Sequence, residues 1–79
     1  MTIIIKSLLA TEIDKVISTD TDKNAFAKYH TDDDVELVDV TISNVSSFGI
    51  TEDAFVLGFK PNWLSVQIPI SSYYKIEIL

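Results

Sequence analysis

The N-terminal part of the chain changes from an apolar run to the spacing of a helix. Thr2–Ile5 is β-branched and mainly apolar, which is typical of a short strand. The apolar positions that follow recur as on one face of a helix, at Leu9, Ile13, Val16 and Ile17. Thr11 and Asp14 resemble a capping box, so we expect a first helix that begins near Thr11 and ends at Ser18–Thr21.

A second short helix is predicted across Asp22–His30, with Asp20 or Thr21 as its cap. Its apolar stripe would consist of Ala25, Phe26 and Tyr29. Acids at its start, and Lys28 and His30 at its end, match the helix dipole.

From Val35 onward the apolar positions alternate as in a strand. Val35 and Leu37 share one face, whereas Val38, Val40 and Ile42 share the face of opposite parity. A β-bulge between Leu37 and Val38 would keep all five apolar side chains on the inner face.

Three further strands are predicted after a loop at Asn44–Ile50. They cover Ala54–Phe59, Trp63–Ile70 and a last strand within Tyr73–Leu79, whose inward face would consist of Tyr74, Ile76 and Ile78. Pro69 donates no ladder hydrogen bond, so its strand is expected at a sheet edge. The last strand is a second candidate edge.

These elements predict a fold of the α+β class. Two short N-terminal helices would pack on one face of an antiparallel sheet of four to five strands. The chain of 79 residues predicts a single domain, residues 1–79. With 47% hydrophobic residues, two Gly and two Pro, it can bury enough apolar surface to fold.

Several classes of protein do not fit this composition. No window approaches the apolar length of a membrane span, about 18 residues. The segment MTIIIKSLLA is interrupted by Lys6 and has nothing basic before it, so we expect mature protein rather than a signal peptide. The absence of Cys excludes disulfides and thiolate sites. A cytoplasmic location is expected, because a small fold that needs no disulfides suits the cytosol.

The charge is acidic and uneven. The net charge is −6, and the whole excess lies in residues 31–79, which carry eight acids and two Lys. The chain has no Arg. Direct binding to nucleic acid or to an anionic membrane is therefore not expected, because both require clustered cations. A protein with a basic groove is the natural electrostatic partner.

No metal, cofactor or catalytic site is predicted. The calcium-loop spacing at Asp20–Asn24 fails at Ala25 and Thr31, where Gly and Glu are required. The same spacing from Asp32 fails at Leu37 and Ser43. His30 is the one histidine of the chain and is expected to be an exposed helix C-terminal residue. Without Cys, a Gly-rich phosphate loop or a nucleophile elbow, we expect no enzyme.

The acids that follow His30 are the strongest candidate for a contact surface. If Val35 and Leu37 point inward, Asp32, Asp34 and Glu36 point outward and recur every ~6.6 Å, near the spacing of alternate phosphates of a DNA strand. Trp63 and Tyr73 alternate outward and resemble interface anchors. The predicted partner-binding residues are Asp32, Asp33, Asp34, Glu36, Asp39, Trp63 and Tyr73. Taken alone, the acids favour a solvated strand face, which carries charge for solubility and against edge pairing, over a contact surface.

Two segments resemble the uracil-DNA glycosylase inhibitor family of Bacillus phages. One comprises Lys6–Leu9 and Glu12–Ile17, and the other Lys60–Trp63 with Val66-Gln67, Lys75-Ile76 and Leu79, with gaps between them. The resemblance implies a small acidic DNA mimic of two helices and an antiparallel sheet, which blocks a DNA-acting enzyme. Only Ser7 matches the family's key polar loop directly, and Lys6 stands where the family has a glutamate.

Two functions from different classes follow. The first is a non-enzymatic inhibitor, of a phage anti-defence type, that binds a host nucleic-acid-processing enzyme through the acidic strand. The second is a structural or assembly protein that associates through sheet edges. A calcium-responsive module is a third, weaker hypothesis. The sequence is compatible with a monomer or a small homo-oligomer.

Overall fold

The chain folds mainly into β-structure. The computed structural model describes residues 1–17, 25–60 and 64–79, and this part forms two antiparallel sheets. The strands are β1 (Ile3–Leu9), β2 (Ala25–Asp32), β3 (Val35–Ile42), β4 (Ser47–Ile50), β5 (Ala54–Phe59), β6 (Leu64–Pro69) and β7 (Lys75–Ile78). A four-stranded sheet has the order β2-β3-β1-β7, and a three-stranded sheet has the order β4-β5-β6.

The predicted α+β class is wrong, because helix is confined to single turns. In the described residues the one α-helix, α1, spans Ile13–Ile17, and short 3-10 turns cover Ala10–Glu12 and Ile70–Ser72. A five-residue helix is far shorter than the ~12–15 residues that an isolated helix needs. It persists because Ile13 and Val16 are buried in the core.

The second predicted helix is also wrong where the structure describes it. Residues 22–24 lie outside the described residues, and Ala25–Asp32 is strand β2. All eight residues of β2 pair with β3, from Ala25 opposite Ile42 to Asp32 opposite Val35. Propensity is a weak preference that pairing of this length overrides.

The core lies between the two sheets. The four-stranded sheet contributes Ile3, Ile5, Leu8, Val38, Val40 and Ile42. The three-stranded sheet contributes Phe55, Leu57, Phe59, Val66 and Ile68, and Ile13, Val16 and Val45 complete the cluster. Side chains from facing sheets interdigitate in this way in β-sandwiches.

A β-bulge exists, but it lies in β1 rather than at the predicted place in β3. Strand β3 pairs with β2 without interruption. Against β1 the register shifts between Ile5 and Leu8, so that Lys6 and Ser7 together lie opposite Asp39. Ser7 has a φ of 53°, in the left-handed region that one residue of a bulge often adopts.

The C-terminal half agrees more closely with the pattern. β5 has the predicted bounds, and β6 falls within the predicted Trp63–Ile70. In the order of the described strands β6 and β7 lie at sheet edges, as Pro69 and the C-terminal position predicted. The predicted loop Asn44–Ile50 is corrected, because its second half forms β4. No helix of the described residues is long and apolar enough to cross a membrane.

Candidate partner-binding surface

The run of three aspartates forms the turn of the β2–β3 hairpin. Asp32 ends β2 and pairs with Val35, which leaves Asp33 and Asp34 as the two turn residues. Their φ angles are 50° and 64°. Positive φ at both positions is the geometry of a type I′ turn, the preferred connection of two-residue hairpins. Aspartate tolerates this region better than most residues.

This turn overturns the predicted row of evenly spaced carboxylates. Paired residues share a face of a sheet, so Asp32 lies on the face of Val35 and Asp39. Glu36 pairs with Thr31 and projects from the opposite face. The acids therefore radiate from the end of the hairpin instead of following one strand face.

We call Asp32, Asp33, Asp34 and Glu36 the acidic tip. All four residues are exposed. Among the described residues none of them forms an ion pair. The tip also extends beyond its neighbouring strand, because β1 pairs with β3 only as far as Leu9 opposite Leu37. It is thus a compact group of negative charges that water and a partner can reach.

Asp39 has a different role from the acids of the tip. Its Oδ1 accepts a hydrogen bond from the backbone N–H of Ser7 at 2.9 Å and lies 3.3 Å from His30 Nε2. Its Oδ2 lies 3.7 Å from Lys6 Nζ. The Ser7 bond is the main cause that lowers the pKa of Asp39; desolvation opposes it, while His30 and Lys6 lower the pKa further. The carboxylate therefore stabilises the bulge.

His30 lies on β2 instead of at a helix end. Its register partner is Leu37, on the face that also carries Asp39. The described residues contain no group of three or more His, Asp or Glu side chains that could hold a metal ion. The segment Asp20–Asn24, where the calcium-loop spacing begins, lies outside the described residues.

A groove lies beside the acidic tip, on the face of the four-stranded sheet that points away from the core. Its volume is about 500 Å³, and it is lined by Ser7, Leu9, Asp32, Leu37 and residues 71–74. β7 pairs with β1 only from Ile3 to Lys6, so the β1 residues after the bulge have no described strand on that side. Residues 71–74 form the wall there, held by the hydrogen bond from Tyr74 N to Lys6 O at 3.0 Å.

The two tyrosines of this wall have orientations opposite to those predicted. Tyr73, predicted to point outward, is half-buried, and its ring packs edge-on against Phe55 with centroids 6.4 Å apart. Tyr74, predicted to point inward, is 81% exposed. The alternation fails because a 3-10 turn at Ile70–Ser72 precedes them and β7 begins only at Lys75. Trp63, the other predicted anchor, lies outside the described residues.

The opposite edge of the same sheet presents apolar surface. Among the strands that the structure describes, β2 has a neighbour on one side only, and its Phe26 is 71% exposed. Tyr29 on the same strand is also exposed. An unpaired edge with exposed aromatic residues can accept another strand, although Lys28 on this edge opposes such pairing.

Comparison of the chain with protein-family models, with curated proteins and with solved structures found no match. The tip, the groove and the strand edges are therefore the features from which we infer a function.

Proposed function

We propose that this protein is a small, non-enzymatic binding domain that inserts its acidic tip into a basic, nucleic-acid-binding groove of a partner protein. The observation that carries the proposal is the exposed group of four carboxylates at the end of one hairpin. The partner would be a nucleic-acid-processing enzyme, and occupation of its groove would inhibit it by excluding the nucleic acid.

Electrostatics support this choice of partner. The net charge of −6 repels nucleic acid and anionic surfaces and attracts a basic protein surface. Charges at a projecting tip reach the partner first and accelerate the encounter. The type I′ turn holds them at the end of a hairpin whose two strands pair along their whole length, so little chain entropy is lost on binding.

The remaining polar groups of the surface do not suggest catalysis. His30 and Asp39 interact with one another, and Asp39 also binds the backbone of the bulge. Neither of them lines the groove. The groove itself offers hydroxyl groups and the carboxylate of Asp32, a lining suited to binding.

A capture experiment with two matched variants tests the proposal. The tip variant carries Asp33→Asn, Asp34→Asn and Glu36→Gln, and Asn at the turn keeps a residue that tolerates positive φ. The control variant carries Glu52→Gln, Asp53→Asn and Glu77→Gln, which raise the net charge by the same amount away from the tip. Each immobilised protein is exposed to a bacterial lysate at about 0.1 M salt, and bound proteins are eluted first with duplex DNA and then at about 1 M salt.

We expect the wild type and the control variant to capture the same nucleic-acid-binding protein, and duplex DNA to release it. The tip variant should capture little of it. Equal capture by the tip variant, or failure of duplex DNA to displace the bound protein, would contradict the proposal.

The exposed edge of β2 favours a second candidate function, assembly through sheet edges. Self-association at this edge would cover Phe26 and Tyr29. Sedimentation over a hundredfold range of concentration would then show an oligomer that Phe26→Lys dissociates and the tip variant leaves intact. A monomer at every concentration would exclude this candidate.

A further inference from the structure

The groove beside the acidic tip has a lining that suits one kind of side chain. We propose that it binds an arginine side chain of the partner, with the guanidinium at Asp32 and against the ring of Tyr74. This inference rests on the proposed function and deepens it, because it names the chemistry that the partner must present next to its basic groove.

The charge of the lining selects a cation. Among the described residues, Asp32 is the one charged side chain that lines the groove, and no described Lys or His belongs to the lining. A bound side chain therefore meets a carboxylate without competition from a neighbouring cation of the lining. Asp32 also belongs to the acidic tip, so a partner that engages the tip brings its own cations to the mouth of the groove.

The apolar surfaces of the groove select arginine over lysine. Leu9 and Leu37, paired across β1 and β3, are half-buried on the outer face and can cover the aliphatic stem. Tyr74 is largely exposed and offers a ring to a planar cation. Arginine stacks on aromatic rings and binds carboxylates with two N–H groups, whereas the lysine ammonium is a strongly hydrated point charge.

The hydroxyl groups of the lining can satisfy the remaining donors. Ser7 and Ser71 line the groove together with Asp32, and a hydroxyl oxygen accepts a hydrogen bond from a guanidinium N–H. The volume of about 500 Å³ lies within the range of ~300–1,000 Å³ that ligand sites occupy. It leaves room for the residues that flank the arginine in an extended segment.

Amide NMR titration of the intact protein with a short peptide tests the proposal. The probe is the capped tripeptide Gly-Arg-Gly, and the matched control replaces arginine by citrulline, which has nearly the same shape and no charge. We expect saturable shifts at the amides of Asp32, Leu37 and Tyr74, with a dissociation constant on the order of 1 mM. The citrulline peptide should bind more weakly by a factor of about five or more.

Three results would overturn the proposal. They are equal binding of the two peptides, shifts that concentrate away from the groove, and absence of a saturable shift up to about 20 mM peptide. The capped peptide Gly-Lys-Gly completes the series, and it should bind more weakly than the arginine peptide. Stronger binding of the lysine peptide would also contradict the assignment.

Substitutions of the exposed ring separate stacking from folding. Tyr74→Ala should weaken the arginine peptide by a factor of about two to five, and Tyr74→Phe should retain its affinity because the ring remains. The dispersed amide spectrum verifies that both variants fold, as expected for a side chain that is mostly exposed. Wild-type affinity in Tyr74→Ala would show that the ring takes no part.

The tip variant distinguishes this proposal from the proposed function. It retains Asp32 and Tyr74, so we expect it to bind the arginine peptide within about twofold of the wild type even where it no longer captures the partner. If the tip variant still captures the partner and the arginine peptide binds at the groove, the proposed function is contradicted and the groove assignment stands. If capture depends on the tip and the arginine peptide does not bind, the groove assignment is contradicted and the proposed function stands.

Discussion

The carboxylate of Asp39 accepts a hydrogen bond from the backbone N–H of Ser7, 32 positions away in the sequence, at 2.9 Å. Ser7 is the residue of the β1 bulge with positive φ, and a bulge leaves such a group without its ladder partner. Asp39 supplies the missing acceptor from the neighbouring strand. This pair fixes the bend after which β1 separates from β7, and Ser7 itself lines the groove that opens there.

Removal of the Asp39 carboxylate should therefore destabilise the fold. Asp39→Ala leaves the partly buried N–H of Ser7 without an acceptor, and we expect a loss of about 1–3 kcal/mol in the free energy of unfolding. Asp39→Asn keeps an acceptor and should cost less than Asp39→Ala. Urea unfolding measures both variants. Equal stability of wild type and Asp39→Ala would mean that the bulge does not depend on this bond.

The same bond predicts a dependence on pH. In the folded protein the pKa of Asp39 lies below its ordinary value of 3.8. The charged carboxylate therefore stabilises the fold fully at pH values above the pKa of the unfolded chain, which is about 4. That contribution is lost as the pH falls through the lower, folded pKa. The stability difference between the wild type and Asp39→Asn, from urea unfolding at about pH 6, 4 and 2.5, should shrink as the pH falls. A difference that stays constant down to the lowest pH would contradict the assignment.

Glycine at the hairpin turn should stabilise the protein. Asp34 has a φ of 64°, and glycine in the second turn position is the preferred residue of a type I′ turn. We expect Asp34→Gly to raise the free energy of unfolding by about 0.5–1 kcal/mol, after the entropy that glycine gains in the unfolded chain is subtracted. Asp34→Asn is the control, since it removes the charge and keeps a side chain. Destabilisation by Asp34→Gly would mean that the turn has another geometry.

The bulge residue should respond to its backbone angle in the same way. Ser7→Gly relieves the positive φ and retains the N–H that binds Asp39, so the variant should be at least as stable as the wild type. Ser7→Val places a β-branched side chain in the left-handed region and should lose about 1–2 kcal/mol or more. Thermal unfolding of the two variants provides the comparison. If both changes have the same effect, the φ of Ser7 is not what limits the site.

The sequence predicted strands correctly where alternation coincides with burial on one face. β5 is the clearest case, because Phe55, Leu57 and Phe59 alternate and are all buried. β2 failed because Ala25, Phe26 and Tyr29 satisfy a helical spacing equally well, and only pairing with β3 decides between the two. The class was therefore wrong although most C-terminal strands were placed correctly.

The bulge was placed on the wrong strand for a related reason. Val35 and Leu37 have the opposite parity to Val38, and a bulge in β3 follows only if every apolar residue of that strand faces the core. In the structure Val35 is exposed and Leu37 forms part of the groove on the outer face. A bulge in β1 does not change the alternation of apolar residues in β3. The positive-φ residue of the bulge is Ser7 and not glycine, the residue that would mark a bulge in the sequence.

The acids of the candidate site were found from composition, but their geometry was not. A type I′ turn is usually recognised by Asn-Gly or Asp-Gly, and here both turn residues are aspartate. The exposure of Tyr74 was not predicted. Which residues before β7 point outward depends on the 3-10 turn at Ile70–Ser72, and the sequence pattern does not specify that turn. The roles of Asp32, Asp33, Asp34, Glu36, Asp39, Trp63 and Tyr73 in partner binding stay predictions.

The most direct test of the central claim is the affinity of the captured partner for three purified proteins: the wild type, the tip variant and the control variant. We expect neutralisation of Asp33, Asp34 and Glu36 to weaken binding at least about tenfold at about 0.1 M salt. The control variant should change it by less than about threefold. An equal loss in both variants would mean that only the net charge matters, and no loss in the tip variant would exclude the tip as the contact.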